Sequence, residues 1–483
     1  MSGNFGRVTN YLKRNGIRKT VQLAHERTQA HYYSDYTYEK PNRKILREQC
    51  AHSVLDEGEK KLAVKPYISI IVPAYDTNVS YMRELLESVS AQTYPYWQLV
   101  IADASDSDVV EEVVKHFVKE QNTCTADLLE AVCATGKSSI DIKKVKEAFE
   151  IGTKVKYVRL QENKGISGNS NQALEYVAGE YLALLDHDDI LAPDALYEMV
   201  KKLNEAGQDE EIQMIYTDED KCDESGKKFY EPNLKPDFNL DYLLSNNYIC
   251  HFLMIKTELV KSLGFRPQYD GAQDYDLILR CVNRIGEKKI GHVNKVLYHW
   301  RCHAGSTSEN PASKMYAYEA GRKAVEDFLK VREIPADVVH TEHVGFYRVV
   351  YKTDLFEARP EIGALGGNVV DGRKRILSGI FCKDGTCLLE GKPSYFSGPC
   401  NRASVSQQVY AVDARTMTLR EELIPLFEEY IGIPYQEDVS KRSRAYCRQM
   451  CEESWRERSI ALCQEISKRS YKILWDPALQ VKC

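Results

Sequence analysis

The stretch YLALLDHDDI, residues 181–190, joins an apolar run to three carboxylates within four positions. Its first five residues have the composition of a buried strand, and Asp186, Asp188 and Asp189 follow. Carboxylates grouped at the end of a buried segment repel one another, so we expect a positively charged partner there. Because Asp186 and Asp188 stand two apart, an extended chain would point both side chains to one side. Two such oxygen ligands suit Mg²⁺ or Mn²⁺, and the sequence therefore predicts a divalent cation here.

Two alternatives compete with a cation in this stretch. Asp189 or Asp194 could cap the helix that follows, an effect of about 0.3–1 kcal/mol that accounts for one acid but not for three. A second acidic strand end, with Asp218 and Asp220 in YTDED, could be the metal site instead. We prefer the first cluster because a buried apolar strand leads into it, whereas YTDEDKCDESGK runs on into a polar turn. The second pair could contact an acceptor.

Strand and helix patterns alternate on both sides of the acidic stretch. This alternation predicts a parallel α/β sheet, whose ligands bind beyond the carboxyl ends of the strands. Pro73–Thr77 and Asp103–Asp106 fall at such ends. The predicted strands are YISIIVPAY (67–75), WQLVIADAS (97–105), VKYVRL (155–160), IQMIYTDEDK (212–221) and HVNKVLYHWRCHAGSTS (292–308), and the predicted helices include YMRELLESVSAQ (81–92), NQALEYVAG (171–179) and the start of QDYDLILRCV (273–282).

Length and composition indicate a soluble globular protein. The 483 residues are too many for one core and predict two domains with connectors. No apolar run approaches the ~20 residues that cross a bilayer, and Met1–Lys19 is too polar for a secretory signal, so we expect a cytoplasmic protein. The 14 cysteines are scattered, as in a chain with mostly reduced thiols. Cys447 and Cys451 could hold a metal, but without a second ligand pair we favour ordinary thiols.

The net charge of −6 argues against a nucleic-acid binder. The charge is uneven, because residues 1–66 contain 13 Lys and Arg against 7 Asp and Glu. Such a basic extension could rest on an anionic inner membrane surface, at about 1 kcal/mol per basic residue. Alternatively, it packs on the next domain.

The motifs and their order resemble those of inverting family 2 glycosyltransferases with the GT-A fold. The resemblance covers about residues 67–310, apart from an insertion at 119–153. It implies an α/β fold in which a Rossmann-like mixed sheet is flanked by helices, with a catalytic domain (67–340) that follows the basic, helical N-terminal extension (1–66). The motifs that carry it are IIVPAYDT, the acid in VIADASDSD, NKGISGNSN, LLDHDD, GAQDYDL and WRCHAGSTS.

The resemblance also implies roles for the donor-side residues. They would bind a UDP-sugar or dTDP-sugar donor. Pro73, Tyr75 and Asp103 would hold the base and ribose. The rest of the donor pocket would be lined by Asn163, Lys164 and Asn171.

The acidic stretch corresponds to the metal-binding DxD of the family. Asp186 would meet the ribose or a water near the metal, and Asp188 would bind the Mg²⁺ or Mn²⁺ directly. His303 resembles the third protein ligand, and Ser306 would reach the diphosphate.

The catalytic base of the family corresponds to Asp274 in GAQDYDL. From the residues alone, Asp276 competes for this role; the family has the base at the first acid. Gln273 stands where many relatives carry Glu, which removes one helper carboxylate. A charged helix start without catalytic function is the alternative.

Residues 354–483 resemble the front part of another GT-A unit but contain no DxD and no comparable base. We expect an inactive α+β accessory domain, with a hairpin at the DG turn of GALGGNVVDGRKRILSGI (363–380). A homodimer through the charged tail is a further expectation.

The resemblance therefore implies an enzyme that transfers a hexosyl or deoxyhexosyl group from a nucleotide sugar to a bacterial surface glycan or a lipid-linked glycan. The alternative is an inactive nucleotide-sugar-binding or glycan-binding subunit that partners an active transferase. A nucleotidyltransferase would need a glycine-rich loop after the first strand, and IIVPAYDTN contains no glycine.

Overall fold

The computed structural model describes residues 2–29, 35–54, 62–121, 152–206, 211–303, 315–438, 441 and 446–483. Ser306 and most of the predicted insertion lie outside these residues. The chain divides into a first unit (Met1–Gly3, Tyr32–Phe238 and Ile249–Ala324) and a second unit (Asn4–His31, Asn239–Tyr248 and Val325–Cys483). The domain boundaries drawn from the sequence stay a prediction.

The helices of the described residues are numbered in chain order. They are α1 (Ser2–Gln29), α2 (Arg43–Val54), α3 (Val79–Ser90), α4 (Val109–Gln121), α5 (Gly165–Ala173), α6 (Ala195–Glu205), α7 (Leu240–Ser245), α8 (Thr257–Leu263), α9 (Gln273–Ile285), α10 (Met315–Val331), α11 (Leu355–Ala358), α12 (Ile424–Ile431) and α13 (Glu452–Lys468).

The strands are numbered in the same way. They are β1 (Ile68–Ala74), β2 (Trp97–Asp103), β3 (Val155–Arg159), β4 (Tyr181–Leu184), β5 (Ile190–Leu191), β6 (Met214–Cys222), β7 (Phe229–Asn233), β8 (Leu253–Lys256), β9 (Ile290–Arg301), β10 (Ala336–His340), β11 (Tyr347–Tyr351), β12 (Ile362–Val370), β13 (Ile376–Ser378), β14 (Ile380–Phe381), β15 (Gln407–Val409), β16 (Ala411–Val412), β17 (Thr418–Leu419) and β18 (Lys472–Lys482).

Nine strands of the described residues form one mixed sheet in the first unit. Their order is β3-β2-β1-β4-β8-β6-β9-β5, and β7 pairs with β6. Strands β3, β2, β1 and β4 run parallel, whereas β8 runs antiparallel to β4 and β6. This sheet confirms the predicted α/β class and its mixed sheet flanked by helices.

Burial explains why the first strands and helix form. The run ISIIVPA of β1 is buried along almost its whole length, as expected for a parallel strand covered on both faces. In α3, Met82, Leu85, Leu86 and Val89 are all fully buried. Their spacing of three and four residues puts them on one face of the helix, which confirms the predicted periodicity. Because β1, β2 and β4 are parallel, their carboxyl ends lie at one edge of the sheet.

The predicted helix at 171–179 is wrong in position. Helix α5 begins at Gly165 and ends at Ala173, and a 3₁₀ turn follows. The backbone of Gly165 has a φ of +75°, and its N–H donates to Asn163 Oδ1 at 3.1 Å. The NKG segment therefore turns directly into the helix, and the polar ISGNS residues are helical rather than loop.

The expectation of an extended chain through the acids is also wrong. Strand β4 ends at Leu184, and the chain turns so that the Asp189 N–H donates to the Asp186 carbonyl at 3.3 Å. Asp186 and Asp188 therefore lie in a turn, which we call the acidic turn (Asp186–Asp189). The turn is held from β9, because the Arg301 backbone N–H donates to the Asp189 carboxylate at 2.7 Å.

The second unit contains a five-stranded sheet of order β13-β12-β18-β15, with β17 on β12. The hairpin of β12 and β13 is confirmed, since Val370 pairs with Ile376 across the predicted turn. A disulfide joins Cys447 to Cys483, which removes Cys447 from any metal site with Cys451.

The basic N-terminal helix makes contacts within the second unit. Lys19 pairs with Glu342, and the buried carboxylate of Glu26 accepts hydrogen bonds from the backbone N–H groups of Ser397 and Gly398 at 3.1 and 3.0 Å. The described contacts of this helix are therefore with later parts of the chain and not with the next domain, and membrane contact stays a prediction. None of the helices in the described part of the chain combines the length and apolar character that a bilayer crossing requires.

We predict that Gly179→Ala destabilises the first unit. A Cβ at residue 179 would lie 2.5 Å from the Ser69 backbone nitrogen and 2.7 Å from the Tyr67 carbonyl oxygen, and neither backbone atom can move without disturbing β1. We expect a loss of about 1–3 kcal/mol in the free energy of unfolding, measured by urea denaturation. Gly372→Ala is the control, because nothing lies within 4 Å of that Cβ. Equal stability of the two variants would contradict the prediction.

Candidate functional site

The acidic turn is fixed by Asp189, which is fully buried. Its carboxylate accepts hydrogen bonds from the Tyr298 hydroxyl and from the Arg301 backbone N–H, the latter at 2.7 Å. Burial, with the charges of Asp188 and Asp186, raises the pKa of Asp189 well above its usual range. Asp189 therefore ties the acidic turn to β9, and it is neither a helix cap nor an exposed ligand.

Arg301 is a positive partner that the sequence analysis missed. Its buried guanidinium donates to the Asp188 carbonyl at 2.6 Å, to the Glu224 carbonyl at 2.7 Å and to Glu84 Oε2 at 2.6 Å. It also lies 4.6 Å from the centre of the Tyr81 ring. The guanidinium thus fixes the backbone of the acidic turn, while its charge pairs with Glu84. The only signal in the sequence is an Arg inside an apolar strand, two residues before His303.

Asp188 and His303 lie together. His303 Nε2 is 2.8 Å from Asp188 Oδ2, and both side chains are about one-quarter exposed. The His303 ring also contacts the Tyr81 ring, with their centres 5.5 Å apart. The structure therefore brings these two predicted ligands to one place.

Asp186 faces a second histidine, which the sequence analysis also missed. His251 Nε2 is 3.9 Å from Asp186 Oδ2, and the imidazole stacks on Tyr298 at 4.7 Å. Desolvation by the surrounding protein raises the pKa of the Asp186 carboxyl above its ordinary value. The imidazole of His251 acts in the opposite direction, and the negative charge of Asp188 raises the pKa further. One ligand atom each from Asp186, Asp189 and His251 lies within 4.8 Å of the others. A lone His in NNYICHFLM carries no pattern that would have identified it.

The two acids that open α9 have different surroundings. Asp276 is buried, and it accepts hydrogen bonds from Arg266 Nε at 3.1 Å and Arg280 Nε at 2.9 Å. Asp274 is partly exposed, and the Cys250 thiol lies 3.6 Å from its Oδ2. Burial and the charge of Asp274 raise the pKa of Cys250 well above its usual range, so the thiol stays protonated and can donate to Asp274. These contacts favour Asp274 over Asp276 as the candidate base.

Asp103 is fully buried at the end of β2. Its carboxylate accepts hydrogen bonds from Ser105 Oγ at 2.5 Å and from the Tyr157 hydroxyl at 2.8 Å. Ser105 Oγ in turn accepts from the Asp76 backbone N–H at 2.8 Å. Asp103 therefore organises the loop after β1, which begins at the exposed Tyr75, whereas Pro73 lies within β1. Contact of Asp103 with a nucleotide base stays a prediction.

The polar residues around α5 mostly bind one another. Asn163 Oδ1 accepts from Asn169 Nδ2 at 3.0 Å. The Asn171 amide exchanges two hydrogen bonds of 2.8 Å with the backbone of Phe265. Lys164 is about half exposed. Asn171 thus holds α5 against the chain after α8, and a donor contact by these residues stays a prediction.

The rival acids of β6 are buried and paired with histidines. Asp218 Oδ1 lies 2.9 Å from His292 Nε2, and Asp220 Oδ1 lies 2.6 Å from His299 Nδ1. Tyr36 also donates to Asp220 at 2.7 Å. Both carboxylates are at most 1% exposed, so they do not meet a solvated cation or an acceptor.

The acidic turn fits a hard divalent cation. Asp186 and Asp188 offer carboxylate oxygens, and His251 and His303 bring one imidazole nitrogen near each. Oxygen and imidazole donors are ligands that Mn²⁺ accepts and Mg²⁺ accepts in part. The residues present therefore fit the predicted metal.

Residues 69–125 and 118–264 match the sequence model described as "Glycosyl transferase family 2". The chain is 37% identical over 277 residues to "Uncharacterized protein y4gI" of Sinorhizobium fredii, covering 57% of this chain and 27% of that protein. It is 27% identical over 307 residues to "O-antigen biosynthesis protein RfbC" of Myxococcus xanthus, covering 63% of this chain and 21% of that protein.

These relatives are much longer than the matched region, which spans about a quarter of their length. Among solved structures, residues 1–349 of S. aureus TarS in complex with UDP-GlcNAc give a TM-score of 0.38 at 18% identity, covering 54% of this chain and 66% of that one. A likeness at this level is too low to support a conclusion. The sequence match contains the acidic turn and ends before Asp274. Residues 69–264 therefore form a glycosyl transferase family 2 domain, which confirms the family resemblance of the motifs.

Proposed function

We propose that the first unit transfers a sugar from a nucleoside diphosphate sugar to a hydroxyl group of a growing glycan, by direct displacement with inversion at the anomeric carbon. One observation in particular supports this. The neighbouring residues Cys250 and His251 lie 3.6 Å from Asp274 and 3.9 Å from Asp186. The candidate base and the candidate cation-binding acid are so close that Asp274 contributes to the raised pKa of Asp186.

In the proposed reaction, Asp274 accepts the proton of the acceptor hydroxyl. The acceptor oxygen bonds to the anomeric carbon as the bond to the diphosphate oxygen breaks. A carboxylate positioned for such a proton transfer contributes typically 10²–10⁴-fold to the rate. Asp276 is unsuited to this role, because Arg266 and Arg280 bind both of its oxygens.

On the donor side, Asp186 and Asp188 would hold Mg²⁺ or Mn²⁺, with His303 and His251 as nitrogen donors beside them. A divalent cation bound there stabilises the negative charge that develops on the departing diphosphate. Burial raises the pKa of Asp186, and the charges of Asp188 and Asp274 raise it further; a cation bound there would favour the ionised carboxylate.

We further propose a glycan or lipid-linked glycan as acceptor and a hexosyl or deoxyhexosyl donor with UDP or dTDP. The name of the M. xanthus relative, an O-antigen biosynthesis protein, supports a surface polysaccharide product. Contact with an anionic membrane would use the exposed Ile17 and Val21 of α1 beside the exposed Arg18.

The second candidate function is an inactive nucleotide-sugar-binding or glycan-binding subunit. It is favoured by Gln273, whose Oε1 accepts a hydrogen bond from the Gly271 N–H at 2.9 Å. This side chain closes a turn and supplies no carboxylate. A binding subunit would bind the donor but release no nucleoside diphosphate, with or without acceptor.

We predict that nucleotide binding depends on Asp188. In a thermal-shift screen of UDP- and dTDP-sugars, a ligand at about 100 times its Kd should stabilise the wild type by about 2.7 kcal/mol. We expect this stabilisation to require Mn²⁺ and to be lost in Asp188→Ala. Glu258→Ala, at an exposed acid of α8, is the control and should respond as the wild type does. Stabilisation of Asp188→Ala equal to the wild type would refute the metal assignment.

We predict that Asp274 and Asp276 respond differently to the same substitution. Asp274→Asn should lower the rate of sugar transfer by at least 10²-fold, measured as nucleoside diphosphate release, while donor binding and melting temperature stay near wild type. Asp276→Asn should lower the free energy of unfolding by about 2 kcal/mol, because two partly exposed arginines lose their partner, but keep its turnover per folded molecule. The reverse pattern would identify Asp276 as the base.

A further inference from the structure

Lys235, which follows β7, is a lysine whose side chain is completely buried. Its ammonium group donates to the Ile249 carbonyl at 2.7 Å and to the His251 carbonyl, and it pairs with Glu219 Oε2 at 3.2 Å. These three acceptors match the three hydrogens of an ammonium group. A buried charge is tolerated only when it is paired and hydrogen-bonded in this way.

Two acids of β6 bind this lysine. Asp218 Oδ1 accepts a hydrogen bond from the Lys235 backbone N–H at 2.9 Å, and His292 binds the same oxygen. The second oxygen of Glu219 accepts from Asn233 Nδ2 at 3.0 Å. The acidic run YTDED, which resembled a metal site in sequence, therefore forms the framework that holds Lys235.

The carbonyls that Lys235 binds belong to one short segment, Ile249–His251, which we call the bridging segment. Its two successive side chains point to the two halves of the proposed active site. Cys250 contacts Asp274, and His251 faces Asp186. The position of both contacts depends on the same backbone, and Lys235 fixes that backbone on both sides of Cys250.

We propose that Lys235 is a positioning residue for sugar transfer, acting through the bridging segment to fix Cys250 against Asp274 and His251 against Asp186. This inference rests on the proposed function. Without the ammonium group, two buried carbonyls lose their donor, and the segment relaxes. A displacement of about 1 Å at a reacting group can cost about 10²-fold in rate, even when the changed residue does not touch the substrate.

A purely structural role for Lys235 would predict lost stability without a specific loss of rate. Lys154 is a matched control, because it is also buried in the first unit, and its ammonium group donates to the Pro95 carbonyl at 2.5 Å. It lies where β3 and β2 begin, at the opposite edge of the sheet from the acidic turn. Lys154→Met should therefore lower stability but leave the site unchanged.

The experiment compares Lys235→Met and Lys154→Met at a temperature where circular dichroism shows both to be folded. The rate of nucleoside diphosphate release, with Mn²⁺ and the sugar nucleotide that stabilises the wild type best, should fall by about 10²-fold in Lys235→Met and by less than about 3-fold in Lys154→Met. Equal rates in the two variants would overturn the proposal.

Lys235→Arg covers the case in which Lys235→Met does not fold. It keeps the charge opposite Glu219 but cannot match all three acceptors, so a wild-type rate in that variant would also overturn the proposal.

A readout that needs no activity separates this inference from the proposed function. The rate at which iodoacetamide modifies Cys250, followed by peptide mass spectrometry, should rise about tenfold or more in Lys235→Met and stay at the wild-type value in Lys154→Met. Unchanged protection of Cys250 would show that Lys235 does not hold the bridging segment. If the wild type releases no nucleoside diphosphate but Cys250 responds as expected, the proposed function fails while the role of Lys235 in holding the segment stands.

Discussion

The site depends on the buried contact between the acidic turn and Arg301. The backbone N–H of Arg301 binds the Asp189 carboxylate, and its guanidinium binds the Asp188 carbonyl. This pairing holds a chain reversal that carboxylate repulsion would otherwise open. It leaves Asp186 and Asp188 directed toward His251 and His303, respectively. The buried guanidinium of Arg301 therefore positions the turn and does not neutralise its carboxylates. Its ionic partner is Glu84, so the carboxylates of Asp186 and Asp188 are left available for a cation.

Much of the fold could be predicted from the sequence because it is local. Burial of β-branched runs and helical spacing in α3 are visible in a single stretch of residues, and both are confirmed. The start of α5 was missed because Gly165 reads as a loop residue until its positive φ and the Asn163 hydrogen bond are known. The prediction of an extended chain through the acids was wrong for a related reason. The turn that replaces it is held by a hydrogen bond from β9, about 110 residues away in the sequence.

The chemistry of individual acids could not be read from sequence, because it depends on partners brought by the fold. LDHDD and YTDED look alike as acidic strand ends, yet only the first has partly exposed carboxylates, those of Asp186 and Asp188. The acids of the second are paired with His292 and His299. Asp274 and Asp276 stand two apart, yet Asp276 is bound by two arginines, while Asp274 meets a thiol. Family resemblance selected Asp274, and the surroundings of the two side chains give the physical reason for that choice.

We propose that the anchored acidic turn holds a cation against a nucleoside diphosphate. Pulsed electron paramagnetic resonance of the protein with one equivalent of Mn²⁺ and UDP tests it directly. A cation held by the turn and the diphosphate together should show electron–nuclear coupling to an imidazole nitrogen and to phosphorus in the same bound species. A spectrum of Mn²⁺–UDP with no nitrogen coupling, unchanged when the protein is added, would contradict it.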